Sequence, residues 1–411
     1  MALIVQKYGG TSVGDLDLIR KVAAKVIQLK NQGNDMVVVL SAMAGQTDRL
    51  LGMAREMTPL PDPREVDVLI STGEQVSVAL FCLACQAQGV EARSLLGFQA
   101  QILTDHLYGK AQIMDIDCTR INDQLSRGRI VAVAGFQGLD DKGNITTLGR
   151  GGSDTTAVAL AATLKADVCE IFTDVKGVYT TDPHVVPKAR KMARISYEEM
   201  LEMSSLGAKV METRSVEFAK KYGVRIHVRH SQLDEPGTII CEEEESMENR
   251  IVSGVAYNKN EARITIVKVP DEPGMAARIL TPISDSGIVV DMIIQNTSAG
   301  GQGKTDFSFT VPKPDFERAM GLVTETARAI GAERVLGDEN IAKVSLIGIG
   351  MRSHAGVAAK MFNALAKEGI NIRMISTSEI KISCVITEKY TELAVRALHD
   401  AFELEKEVVE N

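Results

Sequence analysis

Leu3-Ile-Val-Gln-Lys-Tyr-Gly-Gly-Thr-Ser-Val-Gly14 is the stretch from which the rest of the chain is read. Leu3–Gln6 has the apolar, β-branched character of a strand. Asp15–Lys30 then places Ile19, Val22, Ala23, Val26 and Ile27 on one helical face, with Gly33 beyond it as a stop. Between strand and helix stand Lys7, Gly9, Gly10, Thr11 and Ser12. Glycines let the backbone approach an anion, successive N–H groups at a helix start attract it, and Lys7 adds a point charge. The lysine precedes the glycines, so this is not a Walker A loop, and it is not G-x-G-x-x-G. A plain strand-to-helix turn accounts for one glycine but not for the whole set. The stretch predicts a phosphate cradle.

The same alternation continues outward. Further strands are expected at Met36–Ser41, Glu91–Leu95, Ile130–Phe136, Val168–Thr173 and Val224–Arg229. Val37-Val-Val-Leu40 and Ile130-Val-Ala-Val-Ala134 are apolar at every position, which suits strands buried on both faces. The predicted class is α/β, a largely parallel sheet sandwiched by helices. With 411 residues, two to four domains are expected. A net charge of −8 argues against a nucleic-acid or anionic-membrane binder, whose affinity needs clustered Lys and Arg. No apolar run of membrane-span length stands out, and Met1–Lys7 reads directly as a strand rather than a leader. A soluble, cytoplasmic protein is expected. The six cysteines are scattered, and Cys82 and Cys85 fall inside the apolar run Val78–Cys85, so they read as core residues. His106, His227, His230, His354 and His399 show no metal-ligand spacing. His227 and His230 fall in a strand and point to opposite faces.

The acidic run Glu242–Glu245 punctuates the chain. After it comes an internal repeat. Gly287-Ile-Val-Val-Asp-Met-Ile293 matches Gly369-Ile-Asn-Ile-Arg-Met-Ile375, an offset of 82, and Asp-Glu-Pro-Gly274 matches Ser-His-Ala-Gly356 at the same offset. Each copy reads as strand (Arg263–Val269; Lys343–Ile349), glycine loop, helix (Met275–Ser286; Val357–Glu368), strand, strand (Thr305–Val311; Lys381–Ile386) and helix (Asp315–Ile330; Glu392–Phe402). Thr391 is the expected N-cap of the last helix. Ile251–Tyr257 is also strand-like and is read as an upstream start of the first copy. The boundaries expected are 1–240 for the large domain, 241–262 for the acidic linker and its strand, 263–338 and 339–411 for the repeats.

Three further stretches carry chemistry. Thr146-Thr-Leu-Gly-Arg-Gly-Gly-Ser-Asp-Thr-Thr156 precedes an alanine-rich helix and makes a second anion cradle, in which Arg150 can clamp a carboxylate. Phe172-Thr-Asp-Val-Lys-Gly-Val-Tyr-Thr-Thr-Asp-Pro183 leaves a buried strand at its carboxyl end, where open α/β sheets place ligands. Asp174 there could orient Lys7 or stand near Mg²⁺. Ser71-Thr-Gly-Glu74, Ser41–Thr47 and Gly207-Ala-Lys209 are weak alone.

Lys7-Tyr-Gly-Gly, Gly149-Arg-Gly-Gly-Ser-Asp154, Thr173-Asp174 through Asp182-Pro183, and Gly207-Ala-Lys209 together resemble aspartate kinases of the amino acid kinase superfamily, in order and spacing. The tandem repeat resembles their paired ferredoxin-like α+β ACT domains. The resemblance implies catalytic roles for Lys7, Asp174 and Lys209, with Asp174 orienting the lysines. It implies an ATP site of Lys7, Tyr8, Gly9, Gly10, Thr173, Asp174, Tyr179, Asp182, Lys209 and Val210. Aspartate would lie against Thr47, Glu74, Arg150, Gly151, Gly152 and Ser153, with Glu74 on the ammonium side. No protein metal site is implied, since Mg²⁺ would ride on the nucleotide phosphates. His184 stands where family members often carry Arg. An effector site is implied at Asp271, Gly274, Met275, Ala276, Asp291 and Gln295, completed by Val357, Ala358, Asn371, Ile372 and Ser378.

The implied reaction is attack of the aspartate β-carboxylate on the γ-phosphoryl of MgATP, the first step toward lysine, threonine and methionine. Lysine and threonine would inhibit it, and a homo-oligomer or α2β2 assembly would form through ACT pairing. Met247 could start a separate regulatory polypeptide. Another acyl or nucleoside-phosphate kinase of the superfamily would share the cradle but would have no use for the tandem modules. A non-catalytic amino-acid sensor would not need Lys7, Arg150 and Asp174. A dinucleotide-dependent dehydrogenase lacks the glycine pattern it needs.

Overall fold

The computed structural model describes residues 1–207, 210–243, 250–296 and 303–406, so Lys209, Met247 and the end of the acidic run lie outside it. The described chain forms two units. Met1–Tyr179, Lys191–Ser205 and most of the chain up to residue 243 form the first; Thr180–Arg190 and the chain from 250 onward form the second.

In the first unit, β1 (Leu3–Tyr8), β2 (Asp35–Leu40) and β3 (Ala92–Leu95) belong to the central sheet, and β4 (Ile102–Thr104) and β5 (Ile113–Ile116) to a smaller one. β6 (Ile130–Ala134) returns to the centre, and β7 (Gln137–Leu139) and β8 (Ile145–Thr147) complete the small sheet. β9 (Val168–Thr173), β10 (Arg194–Ser196), β11 (Ile226–His230) and β12 (Thr238–Cys241) finish the eight-stranded sheet, ordered β10-β12-β11-β9-β1-β2-β6-β3. The six strands read from the sequence occupy six consecutive places in it, all paired in parallel. The unforeseen β12 pairs antiparallel to β11 and adds β10 beyond it. The small sheet, ordered β5-β4-β7-β8, was also illegible, because its strands are three or four residues long.

The helices are α1 (Leu16–Asn31), α2 (Gln46–Met57), α3 (Pro63–Ile70), α4 (Thr72–Gln86), α5 (Thr119–Ser126), α6 (Gly152–Leu164), α7 (Tyr197–Ser205) and α8 (Thr213–Tyr222). Asp15 caps α1, its side chain accepting from Leu18 N. The α1 stripe Ile19, Val22, Ala23 and Val26 meets Met36, Val38 and Leu40 of β2 and Val78 and Phe81 of α4 in one core. Because successive side chains alternate across a strand, Val37 and Val39 face the other way, where α6 covers β1, β2 and β9. This double coverage is why those strands are apolar throughout. Pro63–Gln86 is long and apolar enough to cross a membrane, which the sequence reading did not anticipate. Half of it is buried, and α4 is packed against α1, as a core helix would be.

The second unit holds two four-stranded sheets. One runs β15-β16-β14-β17, from β14 (Glu261–Pro270), β15 (Ile293–Gln295), β16 (Lys304–Pro312) and β17 (Arg334–Asp338), and is covered by helices Met275–Asp285 and Phe316–Ala329. The other runs β13-β18-β20-β19, from β13 (Gly254–Asn258), β18 (Ile341–Ile347), β19 (Met374–Thr377) and β20 (Lys381–Thr387), with helices Val357–Lys367 and Thr391–Ala401. The upstream strand therefore does not begin the first copy. β13 pairs antiparallel with β18, so the first module is inserted into the second. Of the matched stretches after Gly287 and Gly369, only the last residues are strand. The two glycines have φ of +72° and +67° just past their helices, the left-handed geometry of a helix stop. Thr391 is the first residue of its helix rather than the cap, its hydroxyl donating to Glu388 O.

Thr180–Arg190 is built into this second unit. Val185 and Val186 enter its core beside Val344, Leu346 and Leu398. Thr180 Oγ1 meets buried His399 Nε2 at 3.0 Å, and Arg396 donates to Val185 O.

Candidate active site

The carboxyl ends of β1 and β2 and the amino end of α6 converge on a cavity of about 240 Å³. Lys7, Gly9 and Gly10 line it from the first glycine loop; Arg150, Gly151, Gly152 and Ser153 line it from the second, with Thr47 and Glu74 completing the wall. Nine of the expected site residues, separated by up to 146 positions, thus share one cavity. The loops are shaped by close approach. A Cβ on Gly10 would stand 2.8 Å from Ala42 O, and one on Gly151, at φ +66°, would stand 2.0 Å from Glu212 Cγ.

Lys7 reaches into the cavity and is ion-paired with Asp154 at 2.6 Å, both side chains about nine-tenths buried. Asp174, expected to orient Lys7, does not line this cavity. That carboxylate is exposed at the end of β9 and accepts from Thr173 Oγ1 at 3.1 Å. Asp154 lies in the first turn of α6, where the helix's unsatisfied N–H groups and its dipole favour negative charge. That turn also faces the cavity, so α6 can serve an incoming anion with the same donors.

Glu74 is 3% exposed. Its Oε1 accepts from Ala42 N at 3.1 Å, while Oε2 has no hydrogen-bond partner among the described residues. Burial pushes its carboxyl up to about 7, against the pull of the Ala42 hydrogen bond. An unsatisfied carboxylate oxygen in a closed wall is a receptor for a cation such as an α-ammonium group. Arg150 is exposed and has no ion-pair partner among the described residues, leaving its planar fork for a carboxylate. The cavity thus offers two cationic groups, two carboxylates of which Asp154 is already paired with Lys7, and a helix start, the complement of a small amino acid bearing an extra acid beside a phosphate.

Other expected residues lie elsewhere. The Tyr8 ring is fully buried, stacked on Phe172 at 4.6 Å with its hydroxyl on Gln6, so only its backbone can meet a nucleotide. Thr173, Asp174 and Tyr179 are in the first unit but do not line this cavity. Asp182 belongs to the second unit, where it accepts from Tyr257 Oη at 3.0 Å and from His184 N at 2.9 Å. Lys209 is outside the described residues, and Val210 lies in the turn beyond it. Ser41, Phe136, Gly149 and Asp154 line the cavity and were not on the expected site. Asp154 was legible as the aspartate of the second glycine loop. Phe136, at φ +68°, carried no sequence signal.

In the second unit, Asp271 and Gly274 are exposed before helix Met275–Asp285, and Gln295 is exposed on the edge strand β15. Asp291 is already engaged by Lys343. Gly274 and Gly356 have φ of +92° and +89°, so the two copies start their helices with the same backbone turn.

The profile of the amino acid kinase family matches residues 2–230, and ACT-domain profiles match 263–324 and 344–402. The chain belongs to the amino acid kinase family, in the branch that carries two ACT domains. Within that branch the likeness is to aspartate kinases. An aspartate kinase of Pseudomonas putida is 60% identical over 406 residues, 98% of each chain. The crystal structure of Escherichia coli aspartokinase III in complex with aspartate and ADP, in its R-state, superposes with a TM-score of 0.81 at 28% identity. It covers 97% of this chain and 99% of that one. The same protein with lysine and aspartate, in its T-state, gives 0.77 at 28% identity, with 97% and 99% covered.

Proposed function

We propose that the chain transfers the γ-phosphoryl group of MgATP to the β-carboxylate of L-aspartate, giving 4-phospho-L-aspartate and ADP. The observation that carries this is Lys7, held by Asp154, in one cavity with the open oxygen of Glu74 and the free guanidinium of Arg150. Glu74 takes the α-ammonium and Arg150 the α-carboxylate, which aims the β-carboxylate at the glycine loop. That nucleophile is already ionised at pH 7, so no general base is needed. Catalysis is positioning together with neutralisation of phosphoryl oxygens by Lys7 and by donors of the Gly9–Gly10 loop and α6. Mg²⁺ carried by the nucleotide phosphates would shield their charge. Thr173, Asp174, Tyr179, Lys209 and Val210 are assigned to the nucleotide side on the resemblance.

The ACT modules are assigned to feedback by lysine, threonine or both, and β15 and β19 are sheet edges on which a second copy can pair. The described cysteines are all buried and none is in a disulfide, which fits work in the cytoplasm. The test is ADP release by the purified protein with MgATP and L-aspartate, with and without lysine, threonine and the pair. Aspartate-dependent release is expected, lowered by at least one effector condition. A folded, ATP-binding protein with no aspartate-dependent release overturns the substrate.

A further inference from the structure

A second cavity, of about 620 Å³, opens beside α1 and the segment after β11, within the first unit. Lys21, Lys25 and Arg229 line it, against a single lining carboxylate, Asp234. Arg229 is paired with Glu170 and Asp234, both at 3.0 Å, yet its Nε has no partner among the described residues. No carboxylate pairs with Lys21 or Lys25 among them. Lys25 Nζ instead rests 4.2 Å from the centre of the Phe172 ring, and the Arg229 guanidinium sits 5.7 Å from the same ring. Two cations therefore share one aromatic ring; burial first, then Arg229, lowers the Lys25 pKa, and Glu170 and Asp234 offset this only in part. The hydroxyl of Ser12, 1% exposed, lines the same cavity and has no partner among the described residues. Leu18 and Leu29 supply an apolar wall.

We propose that this cavity is a second anion site, distinct from the catalytic one, which takes a small multiply charged phosphate or carboxylate metabolite between Lys21, Lys25 and Arg229. Such an anion supplies the counter-charge that Lys21 and Lys25 lack, a further acceptor for Arg229 Nε and an acceptor for Ser12. A lysine pair with one guanidinium recognises charge rather than one fixed geometry, so both oxyanion classes are admitted.

The test is equilibrium dialysis of the full chain with radiolabelled pyrophosphate in one arm and citrate in the other, each with saturating ADP present to occupy the nucleotide site. One equivalent of at least one probe is expected to bind. The double variant Lys21→Met with Lys25→Met should lose at least tenfold in affinity, and Lys25→Arg should keep binding. Aspartate-dependent ADP release by the double variant should stay within twofold of the parent, which separates this site from the proposed reaction. No binding of either probe in the presence of ADP, or equal binding by the double variant, overturns the proposal.

Discussion

Lys7 in the first unit and Lys343 in the second are both nearly sealed, with side-chain exposures of 12% and 5%, and both face carboxylates. Lys7 has one carboxylate partner among the described residues, Asp154, and lines a cavity. Lys343 has two, Glu261 at 2.5 Å and Asp291. Burial alone would lower the Lys343 pKa; Glu261 and Asp291 outweigh it and raise it. An ammonium held between two carboxylates ties segments of the fold together. One held from a single side keeps donors for a ligand. Burial and ion pairing by themselves therefore do not mark a functional lysine; an unsatisfied direction does.

The sharpest way to break the contrast is Lys7→Ala. Turnover should fall by ~10³-fold or more while the protein stays folded by circular dichroism, because a donor to the developing phosphoryl charge is lost. Near-normal turnover would remove Lys7 from the reaction. Asp154→Asn keeps the shape but not the charge that holds Lys7. It should lower kcat by about 10²-fold with less effect on the KM for aspartate, since orientation is lost rather than substrate contact. An unchanged kcat would return the orienting role to Asp174.

Glu74 gives the pH test. Its pKa is raised to about 7, so below that pH the protonated carboxyl can no longer balance an ammonium group. The KM for aspartate should climb as pH falls through 7, and Glu74→Gln should show a KM raised ~10-fold and flat with pH. The linkage for stability has the opposite sign. A carboxyl with a raised folded pKa is costly when ionised, so the unliganded protein should gain stability as pH falls from about 7 toward 4.5, and the Gln variant should lack that gain in thermal unfolding. Parallel profiles for the two proteins would contradict the assignment. Lys343→Met sharpens the other side of the comparison. Leaving Glu261 and Asp291 without their cation should cost about 3 kcal/mol in denaturant unfolding of the second unit, with uninhibited turnover changed little. An unaltered unfolding midpoint would show that the cluster is not structural.

Periodicity along the chain was enough to read the central six strands, because strands buried on both faces are apolar at every position whichever neighbour they take. The glycine loops were legible because close approach and left-handed turns exclude side chains. The repeat offset located both modules. Pairing partners were not legible. β13 carries the same alternation whether it joins the first module or the second, and only its register with β18 decides. Asp154 and Asp174 both follow motifs that suit a lysine partner, 147 and 167 positions from Lys7, and nothing local ranks them.

The sequence by itself determined the classes of element, the two glycine loops and the tandem modules, since each rests on local chemistry: helical or strand period, glycine at a turn, donors at a helix start. Tertiary structure alone decided that Asp154 holds Lys7, that Glu74, with one oxygen unpartnered among the described residues, lines the same cavity, that the first module is threaded into the second, and that Thr180–Arg190 is packed with the second unit. Those are contacts between residues far apart in the chain. Their energies depend on burial and distance, which one-dimensional order does not carry.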